Sequence, residues 1–278
     1  MENGQSILSG ALLKLYRRLD ALFTGWAAEW NATEYLVPTF IPAVEMQKLD
    51  YFRSFPHLIT FPVTLENEQE NLQEFGQRAH EKGVRLTKTA PIQDILTPAA
   101  CYHFYILHQG QSLDQPRYLT TRATCFRKET HYSPLQRQWS FSMREIVCLG
   151  GIDDVQKFLS KVHDTVEHFT TSISLPVAWI EATDPFFNPS ANPKYLSQVL
   201  DPVKTELLFD SRLAIGSINF HRNFFGETFR IQMQGKEAFS GCVAFGIERW
   251  MYAFLTHFGP DESSWPLFLT EERKGRKE

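Results

Sequence analysis

Strand-like runs follow one another along this chain, with helical stretches set around the series. Tyr102–Leu107, Tyr118–Phe126, Trp139–Leu149, Val177–Ala182, Leu213–Asn219 and Phe229–Met233 are short and rich in β-branched and aromatic residues. Glu34–Pro42 carries two prolines and reads as an edge strand or an extended segment. Helical spacing is clear in two places. Leu12, Leu15, Leu19 and Leu22 recur over residues 8–23, and Val155, Phe158, Leu159, Val162, Val166 and Phe169 follow a cap at Asp153 or Asp154. Ala43–Phe52 and the apolar Cys242–Phe258 read as further helices, and 66–82 reads as a solvated helix ended by Gly83. Successive strands with peripheral helices specify an α+β class with a mostly antiparallel sheet.

The bulk properties narrow the function classes. At 278 residues, with 43% hydrophobic and 22% charged residues, the chain has the profile of a soluble globular protein. We expect a single domain over 1–278 with a charged tail at 269–278. A net charge of −4 excludes a wholly basic nucleic-acid binder. The four cysteines, Cys101, Cys125, Cys148 and Cys242, lie far apart and form no disulfide framework. The start lacks the pattern of a signal peptide, and no apolar run reaches membrane-spanning length, so the expected location is cytoplasmic.

Two arginines sit in informative settings. Arg127 falls in Phe126-Arg127-Lys128-Glu129, followed by a polar loop and Phe141-Ser142-Met143-Arg144-Glu145. Arg249 closes Gly241-Cys242-Val243-Ala244-Phe245-Gly246-Ile247-Glu248-Arg249. Alone, an Arg-x-Glu on a strand is a surface ion pair and a strand phenylalanine is core. Together and in this order they resemble motifs 2 and 3 of the class II aminoacyl-tRNA synthetases, which bind ATP and activate an amino-acid carboxylate. Arginine suits that task because its planar fork takes two phosphate oxygens and keeps its charge. The resemblance implies that Arg127 faces the α-phosphate and the substrate carboxylate and that Arg249 holds the γ-phosphate. It implies that Phe141 stacks on adenine and that Glu129, expected on the same strand face as Arg127, accepts from the adenine amino group. Arg137, in the loop, is expected to reach the triphosphate.

A closer resemblance rests on Ala182-Thr183-Asp184-Pro185-Phe186-Phe187, Lys204-Thr205-Glu206-Leu207, Ser217-Ile218-Asn219-Phe220-His221 and Phe225-Gly226-Glu227. From about Glu34 to Phe258 the chain resembles the amino acid:[carrier protein] ligases, homologues of atypical seryl-tRNA synthetases that lack the tRNA-binding domain. The resemblance implies an active-site Zn2+ held by Cys101, Glu145 and Cys242. Two thiolates and a carboxylate leave one tetrahedral position for a substrate amine. It also implies a pocket lined by Asn219, His221, Lys204 and Glu206, with ATP and Mg2+ as co-substrate.

Cys125 and Cys148 have no matching role and read as core, and His103, His108 and His131 read as structural or exposed. The strand before Cys242 has no acid for Mg2+, which leaves Glu206, Asp210 and Glu227 as alternatives. The implied activity is adenylation of a small amino acid, glycine or alanine, and transfer to the phosphopantetheine thiol of a carrier protein. A homodimer through residues 10–42, with Pro42 as the motif 1 proline, is expected. The short, weakly charged loop at His131–Leu135 and the lack of an N-terminal coiled-coil arm speak against a tRNA partner. The 65–82 helix and the 153–170 helix are the alternatives for a carrier surface, and 65–82 is disfavoured because it is acidic like the carriers themselves. Alternatives are transfer to tRNA, an amine or a protein side chain, and a non-catalytic paralogue.

Overall fold

The computed structural model describes residues 4–78 and 83–266. The chain begins with α1 (Gly10–Ala28), β1 (Thr33–Tyr35), β2 (Phe40–Pro42), α2 (Ala43–Lys48), α3 (Tyr51–Ser54) and α4 (Gln69–Gln77). It continues through β3 (Asp94–Leu96), α5 (Tyr102–Leu107), β4 (Ser112–Leu113), β5 (Arg117–Phe126), β6 (Ser140–Gly150) and α6 (Ile152–Ser172). Then come β7 (Val177–Glu181), α7 (Pro193–Leu200), β8 (Lys204–Phe209), β9 (Leu213–Arg222) and α8 (Phe224–Phe229). Two short strands, β10 (Gln232–Met233) and β11 (Lys236–Glu237), lead to β12 (Phe239–Gly246) and α9 (Ile247–Phe258).

A seven-stranded sheet, ordered β1-β5-β6-β12-β9-β8-β7, organises the molecule. Every pairing in it is antiparallel except β1 with β5. The α+β expectation therefore holds. One face of the sheet is covered by α1, α6 and α9. Leu15, Leu19 and Phe23 of α1, Phe158 and Val162 of α6, and Trp250 and Phe254 of α9 pack there against Ile146 and Cys148 of β6 and Val243 and Phe245 of β12. Phe23 stacks flat on Phe245 at 4.4 Å. The other face carries α5, α8 and the α2 region, with Cys101, Phe104, Tyr105, Val147, Leu149, Phe225 and Cys242 in its core.

Several sequence expectations need correction. Tyr102–Leu107 is helix α5, not a strand: its aromatic residues favour strands locally, but Tyr105 is buried flat against Phe225 at 3.8 Å. Cys242–Phe258 is not one helix. Cys242 to Gly246 belongs to β12, which is paired on both edges, and a strand buried on both faces reads as an unbroken apolar run. Phe229–Met233 divides between the end of α8 and β10. Ala43–Phe52 breaks at Asp50, whose φ of 57° cannot continue a helix. The expected 66–82 helix is Gln69–Gln77, and its last residues, like the tail from 269, lie outside the described residues.

Gly241 shows how tightly α6 meets the sheet. A Cβ there would lie 2.9 Å from Leu159 Cδ1, 2.9 Å from Val155 Cγ1 and 3.1 Å from the Asn219 carbonyl. Gly241→Ala should lower stability by about 1–3 kcal/mol through overpacking, measured by urea denaturation.

Candidate active site

A cavity of about 520 Å³ opens on the sheet face opposite α1, α6 and α9. The pleat of β6 selects what enters it. Phe141, Met143 and Glu145 point into the cavity, whereas Arg144 points to the back. Arg144 is buried there in a bidentate pair with Asp20 of α1 (2.8 and 3.1 Å) and donates to Glu34 (2.7 Å). Ser142 donates its backbone N–H to both carboxylate oxygens of Glu248 at 2.9 Å, which ties β6 to the first turn of α9.

Arg127 and Arg249 both line this cavity. Arg127 Nε donates to the Pro98 carbonyl (2.9 Å), and its guanidinium lies 5.3 Å over the Phe141 ring. Arg249, in the first turn of α9, donates to the carbonyls of Gln136 (2.8 Å) and Ala214 (2.9 Å). Among the described residues neither arginine has a carboxylate partner. Burial, then the charges of Arg127 and Arg137, push Arg249 down to about 10. Glu129 also lines the cavity but lies beyond the end of β5, not on the strand as expected; its Oε2 accepts from Arg137 Nη1 at 2.7 Å. Arg137 does not line the cavity; its role toward the site runs through Glu129.

Cys101, at the head of α5, Glu145 of β6 and Cys242 of β12 bring one ligating atom each within 4.8 Å of one another. Glu145 Oε1 accepts from the Ala100 N–H (2.7 Å), whereas Oε2 is buried without a partner. Burial, followed by the Cys242 thiolate, pushes Glu145 up to about 8. Cys101 is raised by the hydrogen bond it donates to Cys242, and Cys242 is held low by that bond and by His221 and Asn219. A buried cluster of two sulfurs and a carboxylate oxygen without a hydrogen-bond partner is a donor set that fits a divalent cation such as zinc. Cys125 and Cys148 are buried elsewhere, as expected.

Asn219 Nδ2 lies 3.5 Å and His221 Nε2 3.6 Å from Cys242 Sγ. Lys204 is paired with Asp184 (3.1 Å) and Glu206 (3.0 Å). Burial would lower Lys204, but the two carboxylates raise it; burial would raise Asp184, but Lys204 lowers it. Gln198 of α7 donates to Asp184 at 2.9 Å and so ties that helix to β8. Of the acids considered for Mg2+, Glu206 and Glu227 line the cavity; Asp210 sits in the exposed β8–β9 turn, paired with Arg212. Sequence reasoning missed Tyr105, Ser240, Gln198 and Glu248, and gave Asp184 no role. Asp184 and Glu248 lay in motifs that could have drawn notice.

An antiparallel sheet that gathers two unpaired arginines and a thiolate–carboxylate cluster beneath it defines the core of a class II synthetase. Residues 91–258 match the family model described as tRNA synthetase class II core domain (G, H, P, S and T). Amino acid–[acyl-carrier-protein] ligase 1 of Bradyrhizobium diazoefficiens is 33% identical over 260 residues, covering 91% of this chain and 79% of the relative. Ligase 2 of the same organism is 30% identical over 257 residues, covering 87% and 75%. The type-2 serine–tRNA ligase of Methanococcus maripaludis is 25% identical over 293 residues, covering 97% of this chain and 56% of that protein. In fold, the chain matches the crystal structure of A. aeolicus tRNASec in complex with M. kandleri SerRS with a TM-score of 0.81 at 19% identity, over 96% of this chain and 56% of that one. The chain thus belongs to the amino acid–[acyl-carrier-protein] ligase family, within the class II tRNA synthetases. No helix among the described residues is long and apolar enough to cross a membrane.

The cluster predicts that the protein binds zinc with one-to-one stoichiometry. Cys101→Ala, Glu145→Ala or Cys242→Ala should each weaken zinc by at least about 100-fold, more than loss of an outer partner. Cys125→Ala and Cys148→Ala should not, as read by a chromogenic chelator.

Proposed function

We propose that the protein activates a small amino acid on ATP as an aminoacyl adenylate and passes the aminoacyl group to the phosphopantetheine thiol of a carrier protein. The observation that carries this reading is the pair Arg127 and Arg249, facing one cavity without carboxylate partners among the described residues. An uncompensated cation withdrawn from water costs several kcal/mol. A bent triphosphate would offset that cost for both groups at once.

In this reading Phe141 and Arg127 act as one surface, the ring beneath the adenine and the guanidinium beside the α-phosphate. Glu129, steadied by Arg137, accepts from the adenine amino group through its free oxygen. Arg249, fixed by two backbone carbonyls, holds the γ-phosphate. A carboxylate oxygen of the amino acid attacks the α-phosphorus, and the bond to the bridging oxygen of pyrophosphate breaks. Arg127 stabilises the charge that develops on the α-phosphoryl oxygens. The carrier thiol, as thiolate, then attacks the carbonyl carbon and AMP leaves. Zinc held by Cys101, Glu145 and Cys242 would supply a Lewis-acid seat for the α-amino group. Mg2+ would arrive with ATP, and of the acids considered for it Glu206 and Glu227 line the cavity. A homodimer through the motif 1 region fits the exposed side chains of Leu36 (94%), Phe40 (51%) and Val44 (62%), and light scattering should give twice the chain mass.

The likeness to type-2 serine–tRNA ligases favours one second reading, with tRNA as acceptor. Amino-acid-dependent ATP–pyrophosphate exchange tests the first half-reaction. Arg127→Ala should lower kcat by about 10²–10³; absence of exchange with every amino acid, in zinc and magnesium, would refute activation. Labelled amino acid should then load holo-carrier but not apo-carrier. Labelling of tRNA instead would favour the second reading.

A further inference from the structure

We infer that His221 is a specificity-determining wall of the amino-acid pocket, disfavouring large substituents on the substrate α-carbon. The inference rests on the reading that this cavity activates an amino acid.

Ser217, Asn219 and His221 stand at alternate positions of β9 and all line the cavity. Asn219 is the register partner of Cys242 on β12. An amine seated at the Cys101, Glu145 and Cys242 cluster has its α-carbon one bond away. The α-substituent is then close to the residues that touch the cluster, and His221 is the largest of these on β9.

The imidazole is not free to yield. Its Nδ1 lies 3.2 Å from the Tyr105 hydroxyl and 3.2 Å from Ser240 Oγ, and Nε2 lies 3.6 Å from Cys242 Sγ. These contacts fit Nε2–H donating to sulfur while Nδ1 accepts from a hydroxyl. The ring also meets Phe225 edge-on at 4.9 Å and 86°, and Tyr105 stacks behind it on the same phenylalanine. Tyr105 and Ser240 are fully buried. Swinging the ring aside for a larger substrate would break polar contacts at both of its edges. A wall held this way discriminates by size more sharply than an apolar side chain that can change rotamer.

The test compares wild type with His221→Ala and His221→Asn, using glycine, alanine, serine and valine. Pyrophosphate exchange gives kcat/KM for each. Thermal shift by amino acid alone gives binding without turnover, and zinc content shows whether the cluster survives. The expected result is a rise of at least about tenfold in the ratio of serine or valine to glycine, the scale set by one or two groups of pocket volume. Thermal shifts with the larger amino acids should rise in parallel, with zinc retained. His221→Asn keeps a polar edge while removing volume, and carries the test if the alanine variant does not fold. Equal losses for all four substrates, with the order of preference unchanged, would overturn the inference and leave activation standing. A wild type that neither exchanges nor is stabilised by any amino acid would overturn both.

Discussion

The pleat of β6 is the constraint on which the rest of the structure depends. Successive side chains of a strand face opposite sides, and this strand runs between β5 and β12 in the middle of the sheet. One set of positions supplies Phe141, Met143 and Glu145 to the cavity, and the other places Arg144 against Asp20 and Ile146 among the helices. A slip of one residue would bury Glu145 among the apolar side chains of α6 and α9 and carry Arg144 into the substrate space. The buried Arg144–Asp20 pair makes that slip costly from behind, because the slip would break it. Stability on one side of the strand and chemistry on the other are thus set by one register.

Charge on the two faces is handled differently. On the back face Arg144 is fully answered by Asp20 and Glu34. On the cavity face Arg127 and Arg249 are held by carbonyls, which orient a guanidinium without neutralising it. Their mutual repulsion contributes to the lowered position of Arg249. The thiolate–carboxylate cluster has the opposite imbalance, with Glu145 pushed up by burial and by Cys242. The cavity therefore offers a region of positive charge without carboxylate partners among the described residues and, apart from it, a crowded set of acidic groups. That polarity suits a substrate with an anionic end beside a cationic one, and it is what an amino acid next to a nucleotide presents.

What the sequence made legible follows from how locally each signal was written. The β5–β6 hairpin and α1 and α6 showed themselves through alternation and through apolar side chains every three or four residues. The residues meeting in the cavity were found through the joined motifs, although their register was not. The boundary between β12 and α9 was hidden because Cys242-Val243-Ala244-Phe245 is apolar on both faces, so neither period stood out. Helix α5 was hidden because its aromatic residues prefer strands until Phe225 is placed beside them. The Tyr105–His221–Ser240 contacts and the Gln198–Asp184–Lys204 chain were invisible for a different reason. Each joins separate elements, and only the packing of α5 on β9 and β12, and of α7 and the segment after β7 beside β8, brings them within hydrogen-bond distance.

The order of the strands also bears on how the protein comes into being. Polypeptides leave the ribosome N-terminus first, yet β12 lies in the interior of the sheet and carries Cys242, with Arg249 just beyond it. Until that segment emerges, β6 and β9 lack their shared neighbour and neither charge cluster exists. A nascent chain therefore lacks both clusters until synthesis of the sheet is complete.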